Sequence, residues 1–187
     1  MAEAVNETGI AEIGTVAGQG MIALRGDKDA AAVLKEAADR LGVAMPGPLE
    51  GRFKGEAGLL WMSPDELLAL CPAADLAGHL DALGAAMAGH HAMALDVSDM
   101  RVRFTVSGPL AREVLAKICP LDMSPEGFTP GMVRRTKLGQ VAGAIWLGKD
   151  GVFHVICFRS VGDYVHDLLR IAAQPGSEVH LFTPPAA

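Results

Sequence analysis

Two hairpin-like segments of the sequence share residues, and this repeat limits the folds that the chain can adopt. AGLLWMSPDELLALC covers residues 57–71, and AGAIWLGKDGVFHVIC covers residues 142–157. Ala, Gly, Trp and Asp recur at one offset, and a cysteine recurs one residue later. Two apolar runs around a polar turn indicate a strand–turn–strand unit, although Ser63 and Glu66 also fit a capping box and a helical turn. The match predicts an internal duplication; chance similarity of two amphipathic hairpins is the alternative.

The segments around the first hairpin alternate between strand and helix patterns. Residues 21–26 are predicted to form a strand, followed by a helix with Asp27 as its N-cap and Gly42 just past its end. Residues 44–58 contain two prolines and are predicted to be a loop. Residues 73–87 then form a second helix.

The second half repeats this order. Glu113 and Lys117 lie four residues apart and support a helix after Gly108-Pro109. The other predicted elements of this half, in chain order, are a strand at 101–107, a hairpin about residues 149–151, a helix at 160–173 and a closing strand at 177–182.

Each half therefore has the order strand–helix–strand–strand–helix. This order predicts an α+β fold of two pseudo-symmetric lobes, at about residues 20–90 and 91–183. The two lobes form a single domain, residues 20–187. Residues 1–19 are small and polar, and they are predicted to be an extended or flexible N-terminal arm.

Composition limits the partners and the compartment. Apolar residues make up 50% of the chain, charged residues make up 20%, and the net charge is −6. The apolar excess indicates surface buried against another protein, or an alanine-rich composition in an ordinary globular chain. There is no run of 18 apolar residues, no signal-peptide pattern and no cluster of Lys and Arg, so neither membrane nor nucleic acid is expected as a partner. Three cysteines without framework spacing predict a reducing compartment, the cytoplasm.

The sequence contains no convincing catalytic or metal-binding set. Cys119 ends a helix, where the dipole opposes a thiolate, while Cys71 and Cys157 end apolar strands. The six histidines have no ligand spacing to Cys, Asp or Glu. Phe-Arg-Ser-Val-Gly at 158–162 is close to the nucleophile elbow G-x-S-x-G, but Phe occupies the first glycine position. Ser160 is instead predicted to be a helix N-cap.

Two residues near the last helix are candidates for a partner interface. Arg159 lies where an apolar strand meets a helix, so it can bind a carboxylate, pair across an interface or extend along the surface. Tyr164 is on the predicted apolar side of that helix, and aromatic residues are enriched at interface hot spots. Trp61 and Trp146 are expected in the core.

The order of several motifs resembles that of known families. The chain is similar to the aminomethyltransferases of the glycine-cleavage system, with Asp-Val-Ser at 96–98, Val-Ser-Gly-Pro at 106–109, a Pro-Gly loop at 130–131, a hairpin and a final helix. More specifically, it resembles the gamma subunits of heterotetrameric sarcosine oxidases, with Leu-Arg-Gly-Asp at 24–27, Leu-Trp-Met-Ser-Pro-Asp-Glu at 60–66, Cys-Pro-Leu-Asp at 119–122, and Arg159-Ser160 with Tyr164. The resemblance covers about residues 20–173 and implies a fold like the aminomethyltransferase folate-binding domain.

The same resemblance implies that the chain does not catalyse. The folate-dependent aminomethyltransferases carry an acidic pair in the strand that matches residues 139–147. Gly143 and Ala144 stand there in this sequence, and neither can act as a general base. The resemblance therefore implies no catalytic, cofactor-binding or metal-binding residue in this chain.

What the resemblance implies is a structural role in a complex of four different subunits. Such a complex oxidatively demethylates sarcosine to glycine and passes the one-carbon unit to tetrahydrofolate, using FAD, FMN, NAD and zinc in other subunits. The expected partners are the alpha, beta and delta subunits, chiefly the large alpha subunit, and the isolated chain could self-associate. The alternatives are a stand-alone folate-binding or aminomethyltransferase-like protein, and the equivalent subunit of an N-methyl amino acid dehydrogenase.

Overall fold

A computed structural model describes residues 7–26 and 31–182 of the chain. The strands are β1 Glu7–Thr8, β2 Glu12–Val16, β3 Gln19–Gly26, β4 Gly51–Lys54, β5 Ala57–Ser63, β6 Glu66–Pro72, β7 Ala92–Asp96, β8 Arg101–Ser107, β9 Val133–Leu138, β10 Val141–Leu147 and β11 Phe153–Phe158. The α-helices are α1 Ala31–Leu41, α2 Leu76–Met87, α3 Ala111–Ile118 and α4 Gly162–Ala172. Short 3-10 turns at Ala73–Asp75 and Arg159–Val161 lead into α2 and α4. No helix within the described residues is long and apolar enough to cross a membrane.

The chain divides into two compact units. The first unit is residues 18–99, and its antiparallel sheet has the strand order β4-β5-β6-β3-β7. One face of this sheet packs with α1 and α2 around a core that includes Ile22, Leu59 and Leu83. Helix α1 ends as predicted at Gly42, which has φ +64°. There the N–H of Gly42 donates to the carbonyl of Asp39 and the N–H of Val43 donates to that of Ala38, as in a Schellman motif.

The second unit consists of the described residues before 18 and after 99. Its antiparallel sheet has the order β1-β2-β8-β11-β10-β9. One face packs with α3 and α4 around a core that includes Phe104, Val114, Ile145 and Leu169. Strand β2 reaches this sheet from the start of the chain and pairs with β8 from Glu12↔Ser107 onward.

The two sheets have equivalent strand orders, which confirms the predicted α+β fold of two related halves. Strands β4, β5, β6, β3 and β7 correspond in order to β9, β10, β11, β8 and β2. In each unit one helix follows the equivalent strand β3 or β8, and another follows the hairpin. Both sheets have more strands than the predicted order, because β4 and β9 precede the hairpins, β7 joins the first sheet, and β1 and β2 join the second.

Three segments differ from the sequence predictions. β4 lies inside the loop predicted at 44–58, since Phe53 packs across Gly58 of β5. β5 and β6 pair directly, so the alternative helical turn at Ser63 is wrong. Residues 177–182 contain no strand. The proposed N-cap Asp27 is outside the described residues.

The start of the chain, predicted as an extended or flexible arm, is part of the second sheet within the described residues. Residues 7–16 include β1 and β2, and the N–H of Ile10 donates to the carbonyl of Ala173 at 2.8 Å. The division between the units falls near residue 99 rather than residue 90, because β7 pairs with β3. These pairings join residues far apart in sequence, which a local pattern does not reveal.

Candidate functional site

The three cysteines are structural rather than reactive. Cys71, Cys119 and Cys157 are all buried and unbridged. Burial raises the pKa of Cys71, helped by the charges of Asp75 and Asp96. Burial also raises the pKa of Cys119, and it raises that of Cys157 to about 11. A thiol with a raised pKa holds its proton at neutral pH and is a poor nucleophile.

Histidine and carboxylate side chains do not form a metal centre within the described ranges. No group of three or more His, Cys, Asp or Glu residues there is arranged to hold a metal ion. His154 stacks on Trp146 with ring centroids 4.9 Å apart. Burial and the charge of Arg103 lower its pKa to about 4, so it is neutral at physiological pH.

Ser160 is not a nucleophile and does not cap the helix. It is exposed in the 3-10 turn Arg159–Val161, and the N-cap of α4 is Val161, without a side-chain cap. The N-cap prediction is therefore wrong, because the 3-10 turn Arg159–Val161 precedes α4 and moves the first residue of the α-helix to Gly162. The φ angle of Ser160 is not positive, so its backbone is not strained like that of the serine in a nucleophile elbow.

Gly143 and Ala144 leave no room for an acidic side chain. A Cβ atom on Gly143 would lie 2.5 Å from Leu138 Cδ1 and 2.8 Å from the carbonyl oxygen of Ile156. Ala144, on the opposite face of β10, is 2% exposed. A carboxylate at either position would be forced into tightly packed, desolvated surroundings.

Arg159 fastens the end of β11 to the start of β8. Its Nη2 donates to the carbonyl of Arg101 at 2.8 Å, and its backbone N–H donates to the carbonyl of Met100 at 2.9 Å. Beside it the guanidinium of Arg101 lies 5.3 Å from the centroid of the Phe158 ring, a cation–π contact. Met100 and Phe158 are 50% and 46% exposed. We call these four residues the Arg159 surface.

Tyr164 lies against a different part of the second unit. Its hydroxyl accepts a hydrogen bond from the N–H of Gln140 at 3.3 Å, at the β9–β10 turn. The side chain is 42% exposed, not buried as its place in the helix pattern predicted. The two side chains thus contact different parts of the second unit: Arg159 contacts the start of β8, and Tyr164 contacts the β9–β10 turn.

A buried carboxylate on α3 holds the C-terminal segment. Glu113 is 1% exposed, and its two oxygens accept from the N–H groups of Val179 at 2.6 Å and Leu181 at 3.2 Å. Lys117 Nζ lies 3.6 Å from the same carboxylate and donates to the carbonyl of Ser177 at 2.6 Å. The predicted Glu113–Lys117 pair is present, but its contacts with residues 177–181 cannot be predicted from the sequence pattern. These contacts take the place of the predicted closing strand.

The comparisons with known proteins show the family of the chain. A model of the family described as "Sarcosine oxidase, gamma subunit family" matches residues 25–174. The chain belongs to the sarcosine oxidase gamma subunit family. The resemblance drawn from the motifs is therefore confirmed.

Members of the gamma subunit family with curated names are moderately similar to this chain. "Sarcosine oxidase subunit gamma" of Corynebacterium sp. (strain P-1) is 32% identical over 146 residues, which are 75% of this chain and 70% of that protein. The protein of the same name from Arthrobacter sp. is 34% identical over 120 residues, 62% of this chain and 57% of that protein. The matched part of the chain therefore spans between half and three quarters of these relatives.

Two solved structures with the same fold are compared with this chain. A chain of the heterotetrameric sarcosine oxidase from Corynebacterium sp. U-96, in complex with pyrrole 2-carboxylate, superposes with a TM-score of 0.80 at 24% identity, covering 91% of this chain and 87% of that one. The glycine cleavage system aminomethyltransferase T from Bartonella henselae gives 0.63 at 14% identity, covering 87% of this chain and 46% of that one. The gamma subunit family thus shares the aminomethyltransferase fold, as the motifs predicted.

Proposed function

We propose that the chain is a non-catalytic structural subunit of a heterotetrameric sarcosine oxidase. In this role it holds the assembly together while other subunits oxidatively demethylate sarcosine to glycine and transfer the one-carbon unit to tetrahydrofolate. Membership of the gamma subunit family and the fold shared with the heterotetrameric enzyme support the assembly. The observation that carries the non-catalytic part is the packing at Gly143.

Tetrahydrofolate chemistry does not fit the strand where the aminomethyltransferase resemblance places it. An acid there needs space and solvation, but Leu138 and the Ile156 carbonyl fill the space beside Gly143. Ala144 is buried and carries no polar group. A strand without a proton-accepting side chain cannot supply general-base catalysis.

The proposed partners are the alpha, beta and delta subunits, chiefly alpha, and they bind through exposed surface that includes the Arg159 surface and Tyr164. Met100 and Phe158 offer apolar area beside two arginines, a composition favoured at protein interfaces. The FAD, FMN, NAD and zinc of the complex belong to other subunits in this proposal.

Co-expression with the three other subunits tests the assembly. A tag on the alpha subunit should recover this chain in a single peak on gel filtration, with sarcosine oxidation in the same fractions. Separate elution of this chain would contradict the proposal. Comparing sarcosine with other N-methyl amino acids as substrates of the recovered complex distinguishes an oxidase from a related dehydrogenase.

A ligand titration tests the non-catalytic part independently. The isolated chain should give no saturable change in tryptophan fluorescence with tetrahydrofolate, whereas the assembled complex should bind it. Gly143→Asp should bind no better than the natural chain, because the carboxylate would clash. Saturable binding by the isolated chain would favour a stand-alone folate protein instead.

A further inference from the structure

The outer edge of β7 differs from the equivalent edge in the other unit. In the second sheet the corresponding strand, β2, is covered by β1, which pairs Glu7 with Ile13. In the first sheet β7 is the last strand among the described residues. The pseudo-symmetry of the two sheets therefore indicates a place for a sixth strand beside β7.

The backbone of β7 presents hydrogen-bonding groups in that direction. The N–H of Val97 donates to the carbonyl of Met21 at 2.9 Å, which sets the alternation of the β3–β7 ladder. Met93 and Leu95 therefore bond toward β3, and the N–H and C=O groups of Ala94 and Asp96 point outward. An uncovered edge of this kind is a template for pairing with another chain.

The side chains of β7 do not protect the edge. Met93 and Leu95 are 43% and 47% exposed and share one face, while Ala94 packs with the helix-side core. Asp96, at the end of the strand, is its only charged residue. Natural edge strands are normally protected by lysine, proline or a bulge, so an exposed apolar edge indicates use as a binding surface.

A pocket of about 450 Å³ lies at the same place. It is lined by Arg25, Asp65, His91 and Met93, among others. The guanidinium of Arg25 lies 3.5 Å from the Asp65 carboxylate. When an extended segment joins a sheet edge, main-chain hydrogen bonds give affinity and a side-chain pocket of this kind gives specificity.

We propose that an extended segment of the alpha subunit adds to β7 as a sixth strand, with apolar side chains over Met93 and Leu95 and one side chain in the adjoining pocket. This rests on the proposed function as an assembly subunit. A second copy of this chain is a poorer occupant, because two chains of net charge −6 repel each other.

A proline substitution tests the strand addition. In Ala94→Pro the outward N–H is lost while the bonds to β3 stay, so recovery with a tagged alpha subunit should fall about tenfold or more at limiting concentration. Lys137→Pro is the matched control, because Lys137 lies on the edge strand β9 and its N–H also points outward. It should be recovered like the natural chain. Leu95→Asn, which leaves the backbone intact, should lower recovery severalfold.

Hydrogen exchange gives a readout that does not depend on a variant folding. The amides of Ala94 and Asp96 should exchange at least tenfold more slowly in the natural complex than in the isolated chain, and the amide of Lys137 should not change. Unchanged exchange at Ala94 and Asp96 would overturn the proposal, even if both proline variants lost binding.

The remaining outcomes separate the two proposals. If the natural chain is not recovered with its partners, the proposed function fails. If the natural chain and Ala94→Pro are recovered equally, the assembly stands and strand addition at β7 fails. If the isolated chain dimerises and Ala94→Pro only abolishes that dimer, the occupant is a second copy and the proposal as stated is wrong.

Discussion

The β5–β6 and β10–β11 hairpins occupy equivalent positions in the two sheets, yet their tryptophans lie on opposite faces. Trp61 packs against the core between its sheet and α1 and α2. Trp146 is on the sheet face away from α3 and α4, beside Arg103 and His154. Cys71 and Cys157, in contrast, both lie in the helix-side cores.

The explanation is a difference of one residue in alignment. The shared Ala, Gly and Trp residues have an offset of 85, whereas the cysteines have an offset of 86. A strand alternates faces at each residue, so an alignment wrong by one exchanges the two faces. The two units therefore share a topology. The residues of β5 and β10 that match at an offset of 85 do not occupy equivalent positions in the two sheets.

The largest expected effect comes from removing the two tryptophans. Trp146 is 2% exposed, so Trp146→Ala should lower the free energy of unfolding by about 4 kcal/mol. Trp61 is only partly buried, and Trp61→Ala should cost about 2 kcal/mol. Urea unfolding of both variants measures the difference. Equal costs would contradict the assignment of the two residues to different environments.

The glycines beside them should show the next largest difference. A Cβ on Gly143 meets the backbone carbonyl of Ile156, which cannot move without distorting the sheet, so Gly143→Ala should cost about 3 kcal/mol. A Cβ on Gly58 meets the ring of Phe53 at 2.6 Å, and that ring can rotate aside. Gly58→Ala should therefore cost about 1 kcal/mol. The midpoints of urea unfolding compare them, and the reverse order would refute this explanation.

Each unit also has a Glu and a Lys or Arg four residues apart on its first helix, and these pairs differ in burial. Glu113→Ala should cost about 2 kcal/mol, because the N–H groups of Val179 and Leu181 and the charge of Lys117 lose their partner. Glu36 is 42% exposed and pairs with Arg40, so Glu36→Ala should cost about 0.5 kcal/mol. Thermal unfolding measures both, and faster hydrogen exchange at 179 and 181 should accompany only the first.

The stabilisation that Glu113 gives by binding the N–H groups of Val179 and Leu181 should also depend on pH. Burial alone would raise the pKa of Glu113, but the hydrogen bonds from Val179 and Leu181 and the charge of Lys117 outweigh it and hold the pKa below its usual value. The stabilisation of the folded chain by ionised Glu113 is therefore complete above the unfolded-state pKa of about 4.3. It is lost as the pH falls through the lower folded-state pKa. Glu113→Gln should remove this pH dependence. If the acid-unfolding curve of the variant were the same as that of the natural chain, the role of the carboxylate would be contradicted.

The sequence predicts the elements that depend on local chemistry and misses those that depend on distant partners. The end of α1 is visible because a glycine with positive φ is needed there, and the hairpins are visible from their apolar runs. β4 is hidden because two prolines dominate its window, while its reason to form is Phe53 packing over Gly58. The alternation of Val179 and Leu181 imitates a strand, but their N–H groups are bound by a carboxylate 66 and 68 residues away.

The candidate site was predicted in the same uneven way. The missing acid at Gly143 can be read from the sequence, but the packing that excludes one cannot. Arg159 and Tyr164 stay predictions as interface residues. Each makes a contact within the chain, which accounts for its position without a partner subunit. The uncovered edge of β7 has no local signal, because it becomes visible only when the strand orders of the two sheets are compared.

At neutral pH the smallest expected effect concerns His154, whose ring stacks on Trp146, because this effect appears only as the pH falls. Because the pKa of His154 is lowered to about 4, the unfolded chain binds a proton at this residue between about pH 6.5 and 4 and the folded chain does not. The natural chain should therefore lose stability as the pH falls through this window.

His154→Phe keeps a ring against Trp146 and removes the titration. The difference in unfolding free energy between the variant and the natural chain should therefore grow in favour of the variant from about pH 6.5 to 4 and be constant above about pH 7. In the folded chain His154 takes up its proton only near pH 4, so the fluorescence of Trp146 should change there and not at pH 6.5. Trp61, which has no such histidine ring contact among the described residues, supplies the comparison, and its fluorescence should not change with this protonation. A constant difference across the whole range would show that His154 titrates normally, and that the stack on Trp146 is open to water.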